Sequence, residues 1–197
     1  MHENVRAEFG THTLTVDTAA RFFLSTCTVG GNGAIDVRRG TLGFFRALAF
    51  DPGADLSVRV GAAGMLDNRV PLTLKDFENA GAVTNTAQTI TVTGTATGGG
   101  ADHPVPRLVL APGSTVKVSN AAKPLAVSAS LAASGTLGLD LAGIEMVGNA
   151  VPLILAPAGT VLADVTYEGR NLPPGTCISV RNGLPSLVKG GMVFYVR

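Results

Sequence analysis

The chain reads as an all-β protein of the antiparallel β-sandwich or jelly-roll type, with two tandem related β modules as its variant, and three observations predict this. A ten-residue phrase occurs twice, from Pro52-Gly53-Ala54-Asp55 to Val60-Gly61 and from Pro174-Gly175-Thr176-Cys177 to Asn182-Gly183, with a looser copy from Pro112 and Gly113 to Val118. In each copy Pro-Gly makes a turn and an alternating strand follows it. Apolar residues are 46% of the chain, yet aromatics are 5% and Trp is absent, so the interior must be built from Val, Leu, Ala and Ile. Twenty-five Gly and eleven Pro imply many turns, while the regular Thr and Val alternation argues against disorder, which needs low hydrophobicity and high net charge.

Taken in order, residues 1–10 read as an N-terminal arm that reaches a neighbouring subunit, or as a plain tail. Residues 11–97 form the first β module. Thr11 to Val16 and Phe22 to Val29 alternate, and the loop Gly30 to Gly33 leads into Ala34 to Arg38, which predicts a first hairpin. Leu42 to Phe50 fits a buried strand or a short helix, and the strand is preferred because Leu48, Phe50 and Pro52 align with Leu108, Leu110 and Pro112 and with Leu153, Leu155 and Pro157. Leu74 to Ala80 reads as a helical turn, and Thr89 to Thr97 as a strand. Gly98 to Asp102 is a linker or a long hairpin tip. Residues 103–197 form the second module, with strands from Arg107 to Leu110 through to Met192 to Val196 at the spacing of a sandwich. Phe22, Phe44, Phe50, Leu56 and Val58 are expected in the first core, and Leu108, Leu110, Val116, Leu153, Leu155 and Ile178 in the second.

The formal net charge is +1 and only 15% of residues are charged, whereas a nucleic-acid binder shows a basic excess on one face. Arg38, Arg39 and Arg46 make the densest basic stretch; a solvated strand edge or a subunit salt bridge explains them better than phosphate contact. So weakly charged a surface suits a protein that hides much of itself against partners. Cys27 and Cys177 both sit in strand text, where a small buried thiol is favoured over a disulfide. Residues Met1 to Arg6 lack a signal-peptide profile, and the longest apolar run, Val151 to Ala163, is too short and too broken to span a bilayer. The expectation is therefore a soluble protein, or one that assembles in the cytoplasm where it is made, with no membrane partner.

Catalytic, cofactor-binding and metal sites are all expected to be absent. His2, His12 and His103 are scattered without ligand spacing, and neither a nucleophile elbow nor a phosphate-binding Gly-rich loop occurs. Asp51 and Asp55 flank the first Pro-Gly corner, with Asp67, Asp76 and Glu78 beyond, so a carboxylate pair for glycoside cleavage is conceivable. Solvated turn acids or an occasional Ca²⁺ ligand explain them with less strain. For glycan or receptor binding the candidates are Tyr167, Tyr195 and the loops Gly98 to His103 and Gly30 to Gly33. Arg59 and Arg181 of the repeated phrase read as solvent-facing strand residues.

The phrases Leu48 to Gly61, Arg69 to Leu74, Leu108 to Val118 and Leu153 to Val161 cover about a quarter of the chain, and in this Gly/Ala/Thr/Val-rich setting it resembles the small β-rich virion proteins of tailed bacteriophages. That resemblance implies a sandwich or jelly roll that decorates or cements a capsid, or else a tail or fibre component that binds a receptor or glycan. It implies a homo-oligomer, with a trimer favoured, in contact with the major capsid protein or tail proteins.

Overall fold

In a computed structural model, residues 5–46, 48–84 and 87–190 are described and form twenty β-strands. They are β1 (Val5–Glu8), β2 (Thr13–Ser25), β3 (Cys27–Gly30), β4 (Ala34–Phe45), β5 (Ala49–Phe50), β6 (Ser57–Asn68), β7 (Leu72–Leu74), β8 (Phe77–Asn79), β9 (Ala82–Thr84) and β10 (Ile90–Val92). There follow β11 (Thr95–Thr97), β12 (Val105–Leu110), β13 (Thr115–Lys117), β14 (Leu125–Ala133), β15 (Gly135–Asp140), β16 (Ala150–Pro152), β17 (Ile154–Leu155), β18 (Val165–Arg170), β19 (Thr176–Arg181) and β20 (Leu184–Lys189).

The all-β class is correct, and the antiparallel sandwich or jelly roll is not: the chain is a parallel β-solenoid of about 6 turns. One long sheet runs in the order β18-β15-β13-β11-β8-β6-β4-β2, a second in the order β17-β14-β12-β10-β7, and a third as β1-β3-β5. Every pairing in these three sheets is parallel; only the C-terminal trio β16-β20-β19 is antiparallel. A strand therefore pairs with the strand one coil later, and a coil takes roughly twenty residues, the period of a solenoid rather than of a hairpin. The expected first hairpin fails for this reason, since β2 pairs in parallel with β4.

The Pro-Gly phrases make corners. Ala54 N donates to Asp51 O at 3.0 Å around a Gly53 with φ 80°, and Ser114 N donates to Ala111 O at 3.0 Å around a Gly113 with φ 83°. Pro second and a positive-φ Gly third is the type II pattern. A Cβ on either glycine would meet nothing, so the backbone angle alone demands Gly there. The chain leaves each corner toward the neighbouring coil: β5 pairs with β3, and β6 with β4. The third phrase, at Pro174-Gly175, opens β19 and so leads into the antiparallel cap.

The core is a set of columns with one side chain per coil. Ile35, Val58, Phe77, Ala96, Val116 and Leu139 stack along the long sheet, all buried, with the small Ala96 beside the large Phe77. Leu72, Ile90 and Leu108 stack in the second sheet, as do Leu74, Val92 and Leu110. Each such side chain contributes about 1.5–3 kcal/mol by burial, and alternation along the strand turns its neighbours outward. Of the expected core, Phe44, Leu56, Val58, Leu108, Leu110, Val116 and Leu153 are buried. Phe50, Leu155 and Ile178 are half-buried, and Phe22 is 36% exposed because β2 is the last strand of its sheet and no coil covers it.

Other expectations meet the coil differently. Leu74 to Ala80 is not a helical turn: it contains β8, whose Phe77 and Asn79 are both buried. Strands on either side of residues 98–102 pair directly, β10 with β12 and β11 with β13. Within residues 1–10, β1 pairs with β3. The strand expected from Met192 to Val196 lies outside the described residues.

Candidate binding surface

The expected functional residues are taken up by the stack. Asp51 pairs with Arg6, which also holds Glu8, and Asp55 pairs with Lys75 at 3.3 Å. Asp67 holds Arg69 at 3.0 Å. Asp76 accepts from Ser57 Oγ at 3.1 Å and from Thr95 N at 2.7 Å, tying its coil to the coils on both sides. Glu78 meets Arg59 at 3.3 Å. The candidate carboxylates thus have structural partners, and among the described residues no group of three or more His, Cys, Asp and Glu could hold a metal ion. His2 and Tyr195 lie outside the described residues. His103 contributes its backbone carbonyl to Asn79 Nδ2 at 2.9 Å. The Tyr167 hydroxyl is buried without a partner among the described residues, and burial pushes its pKa up. Cys27 is buried and Cys177 exposed, both as free thiols, and desolvation raises the pKa of Cys27. Among the described residues no helix is long and apolar enough to cross a membrane.

Along the outer face of the long sheet runs a column of one residue per coil: Thr15, Asp36, Arg59, Glu78, Thr97, Lys117, Asp140 and Arg170. The charges alternate in sign, so each faces an opposite or neutral neighbour about 4.8 Å away. Exposed pairs of this kind are worth roughly 0–1 kcal/mol each, and like charges stacked directly would repel. Arg59 and Arg181 are exposed, as expected. Asp140 is the best-supported member. Asn171 Nδ2 donates to its Oδ1 at 2.8 Å and Ala142 N at 3.2 Å, and with Lys117 and Arg170 nearby its carboxyl is held below the ordinary range.

A group whose folded pKa is depressed lends stability above its unfolded pKa and loses it as pH falls through the folded value. Asp140→Asn should therefore lower Tm at neutral pH by about 2–4 °C, for about 1 kcal/mol after allowance for partial exposure. The gap should narrow as pH falls below the ordinary carboxylate range and through the depressed pKa of Asp140, where the aspartate too becomes neutral. Thermal melts from pH 2 to 7 check this; a gap independent of pH would show that the carboxylate charge plays no part.

A second outer face lies at the N-terminal coils, where β2, β4 and β6 run to 12 or 13 residues and wrap a corner before continuing as a further side. On it Phe23, Gly43 and Asp67 form one column, and Ser25 and Phe45 lie beside it. The Phe23 and Phe45 rings meet edge to face with centroids 4.8 Å apart. They do so over Gly43, where an added Cβ would run into both rings. The Arg69 guanidinium lies 4.5 Å from the Phe45 centroid and is fixed in place by three hydrogen bonds to Asp67, at 3.0 to 3.2 Å. Arg21 and Arg46 complete the rim of an open cleft of about 740 Å³ lined also by Ser25. Below it the chain turns at Thr26, whose φ is 54°, with Thr26 N bonded to Arg46 O at 2.9 Å. Of these residues the sequence singled out Arg46, in the basic stretch, and Asp67, as one of the carboxylates. The aromatic and cationic positions become neighbours through the coil, and no local motif joins them.

Fold and surfaces define a class, a parallel β-solenoid with a self-neutralised lateral face and one aromatic-cationic cleft. Comparison with protein-family models, with curated proteins and with solved structures finds no match to this chain.

Proposed function

We propose that this chain is a non-enzymatic structural module, a rigid stack that works through its contact surfaces. The observation that carries this is the alternating outer column: acids and bases stand beside opposite or neutral neighbours one coil away, with Arg59 and Glu78 in direct contact at 3.3 Å, giving a regular face whose charges balance. A stack of this kind extends along one axis, and each coil contacts only its neighbours. That favours a fibre or other elongated appendage over a flat decorating layer; a virion fibre is the form suggested by the sequence resemblance. The proposed partner is another copy of the chain. Strand β2 lies at the end of the long sheet, and no strand among the described residues covers its outer side. An uncovered edge thirteen residues long invites pairing.

Light scattering of the purified chain, with quantitative mass spectrometry of particles or surface appendages from the producing cells, tests the proposal. A discrete oligomer, present in the assembled fraction at a few copies per particle, is the expected result. A monomer found only as free chain would overturn it.

A further inference from the structure

We propose that the cleft between Phe23, Phe45, Arg21 and Arg46 binds a short acidic oligosaccharide, with a pyranose C–H face on the rings and its carboxylates on the arginines. This rests on reading the chain as a contact module and names one ligand of that module. Asp67 neutralises Arg69, whose guanidinium serves to brace the Phe45 ring. Arg21 and Arg46 have no carboxylate partner among the described residues, so two guanidinium forks face the cleft uncompensated. Their neighbours on the N-terminal coils are paired, Arg38 with Asp36 at 2.8 Å, Arg39 with Asp17 at 3.4 Å and Arg69 with Asp67 at 3.0 Å. The forks match carboxylate geometry.

The rings narrow the choice. Phe23 is 45% exposed on a folded surface, and the rings meet edge to face over Gly43, where any side chain would push them apart. An aliphatic acid would need an enclosing pocket, and this cleft is open; a sugar offers one apolar C–H face to the rings and its hydroxyls to water and to Ser25. The volume, about 740 Å³, lies in the range of small-ligand sites. A nucleic acid fits less well, because the long-sheet face alternates Asp36, Arg59 and Glu78 and offers a longer polyanion no basic run, and net charge is only +1.

The test is isothermal titration of the full chain with three probes: a galacturonic acid trimer, its neutral methyl ester, and a ten-nucleotide oligothymidylate. Expected are binding of the trimer that weakens with salt, a loss of about ten- to a hundred-fold for the ester and for Arg21→Gln and Arg46→Gln, and a similar loss for Phe23→Ser. Arg59→Gln, on the other face, should bind as wild type does; circular dichroism establishes that each variant is folded. Equal binding of ester and acid, retained binding in both arginine variants, or tighter binding of the oligonucleotide would each overturn the proposal. Failure to bind any probe by a chain still recovered in assemblies would remove the ligand and leave the structural module. Cleavage of the trimer, seen by mass spectrometry, would instead sink the module reading.

Discussion

Phe77→Ala should cost about 3–5 kcal/mol and lower Tm by roughly 6–20 °C, the largest loss expected from any single truncation in this core. Phe77 is 1% exposed and stands in its column between Val58 and Ala96. Its phenyl ring fills the space left by the small Ala96, so truncation sets two methyl groups side by side and leaves a cavity that neither neighbour can reach. Rigid strands above and below prevent collapse, because the register of β8 is fixed on both sides, by β6 and by β11. Position in the stack matters as much as size. A solenoid's stability is close to a sum over coils and the contacts between adjacent coils, and a lesion near an end is relieved by fraying. Phe77 sits on β8, in the interior of the long sheet with coils on both sides, so its loss divides the stack. Calorimetry should show a lower transition that broadens or splits as the two sides unfold separately. A Tm within about 2 °C of wild type would mean that the core repacks freely, against the close packing described here.

The same column shows what the sequence made legible. Alternation of apolar and polar residues marks which side chains face inward, and Leu56, Val58, Leu108, Leu110 and Val116 were read correctly as core because parallel and antiparallel strands share the period of two. For that reason alternation could not distinguish a coil from a hairpin. The Pro-Gly corners would have given the period had all corners looked alike. They recur at Pro52 and Pro112, three coils apart, while the corners between them are made at Lys75 and Gly94 without proline. Lys75 N bonds to Leu56 O, and Gly94 N to Lys75 O. A column asks only for an apolar side chain of suitable size, so Ile35, Val58, Phe77, Ala96 and Val116 carry no common residue to reveal their alignment. Phe22 misled for the complementary reason: it belongs to an inward column with Leu42 and Leu66, at the end where the stack stops. The cleft was illegible for the reason that hid the period. Phe23 and Phe45 lie in successive coils, and their contact depends on coil length and on Gly43, a residue that reads in sequence as ordinary strand punctuation.

Gly40→Val should release the N-terminal edge and leave the rest of the stack standing. Gly40 has a φ of 87°, in the left-handed region where a side chain costs about 1–2 kcal/mol and a β-branched one more. It lies where β4 bends, opposite the register break of β2 between Asp17 and Arg21. An added Cβ would strike the carbonyl oxygen of Thr18 and lie 2.6 Å from that of Ala20, both main-chain atoms that cannot rotate aside. The strain must move backbone, and in this sheet only β2 is free to move, because it pairs with β4 alone. Hydrogen exchange should therefore show β2 amides losing about ten- to a hundred-fold protection, for a local cost of about 1.5–3 kcal/mol, with β11, β13 and β15 unchanged. Trypsin should cut after Arg21 sooner than in wild type. A uniform loss of protection along the chain would show that β2 is integral to a single cooperative unit, and no loss would show that the bend tolerates a side chain. Since Phe23 travels with β2, the variant should also lose affinity for the galacturonic acid trimer. A central lesion such as Phe77→Ala, below its own Tm, should leave that affinity intact, because Gly43, Phe45 and Arg69 keep their places on β4 and just beyond β6.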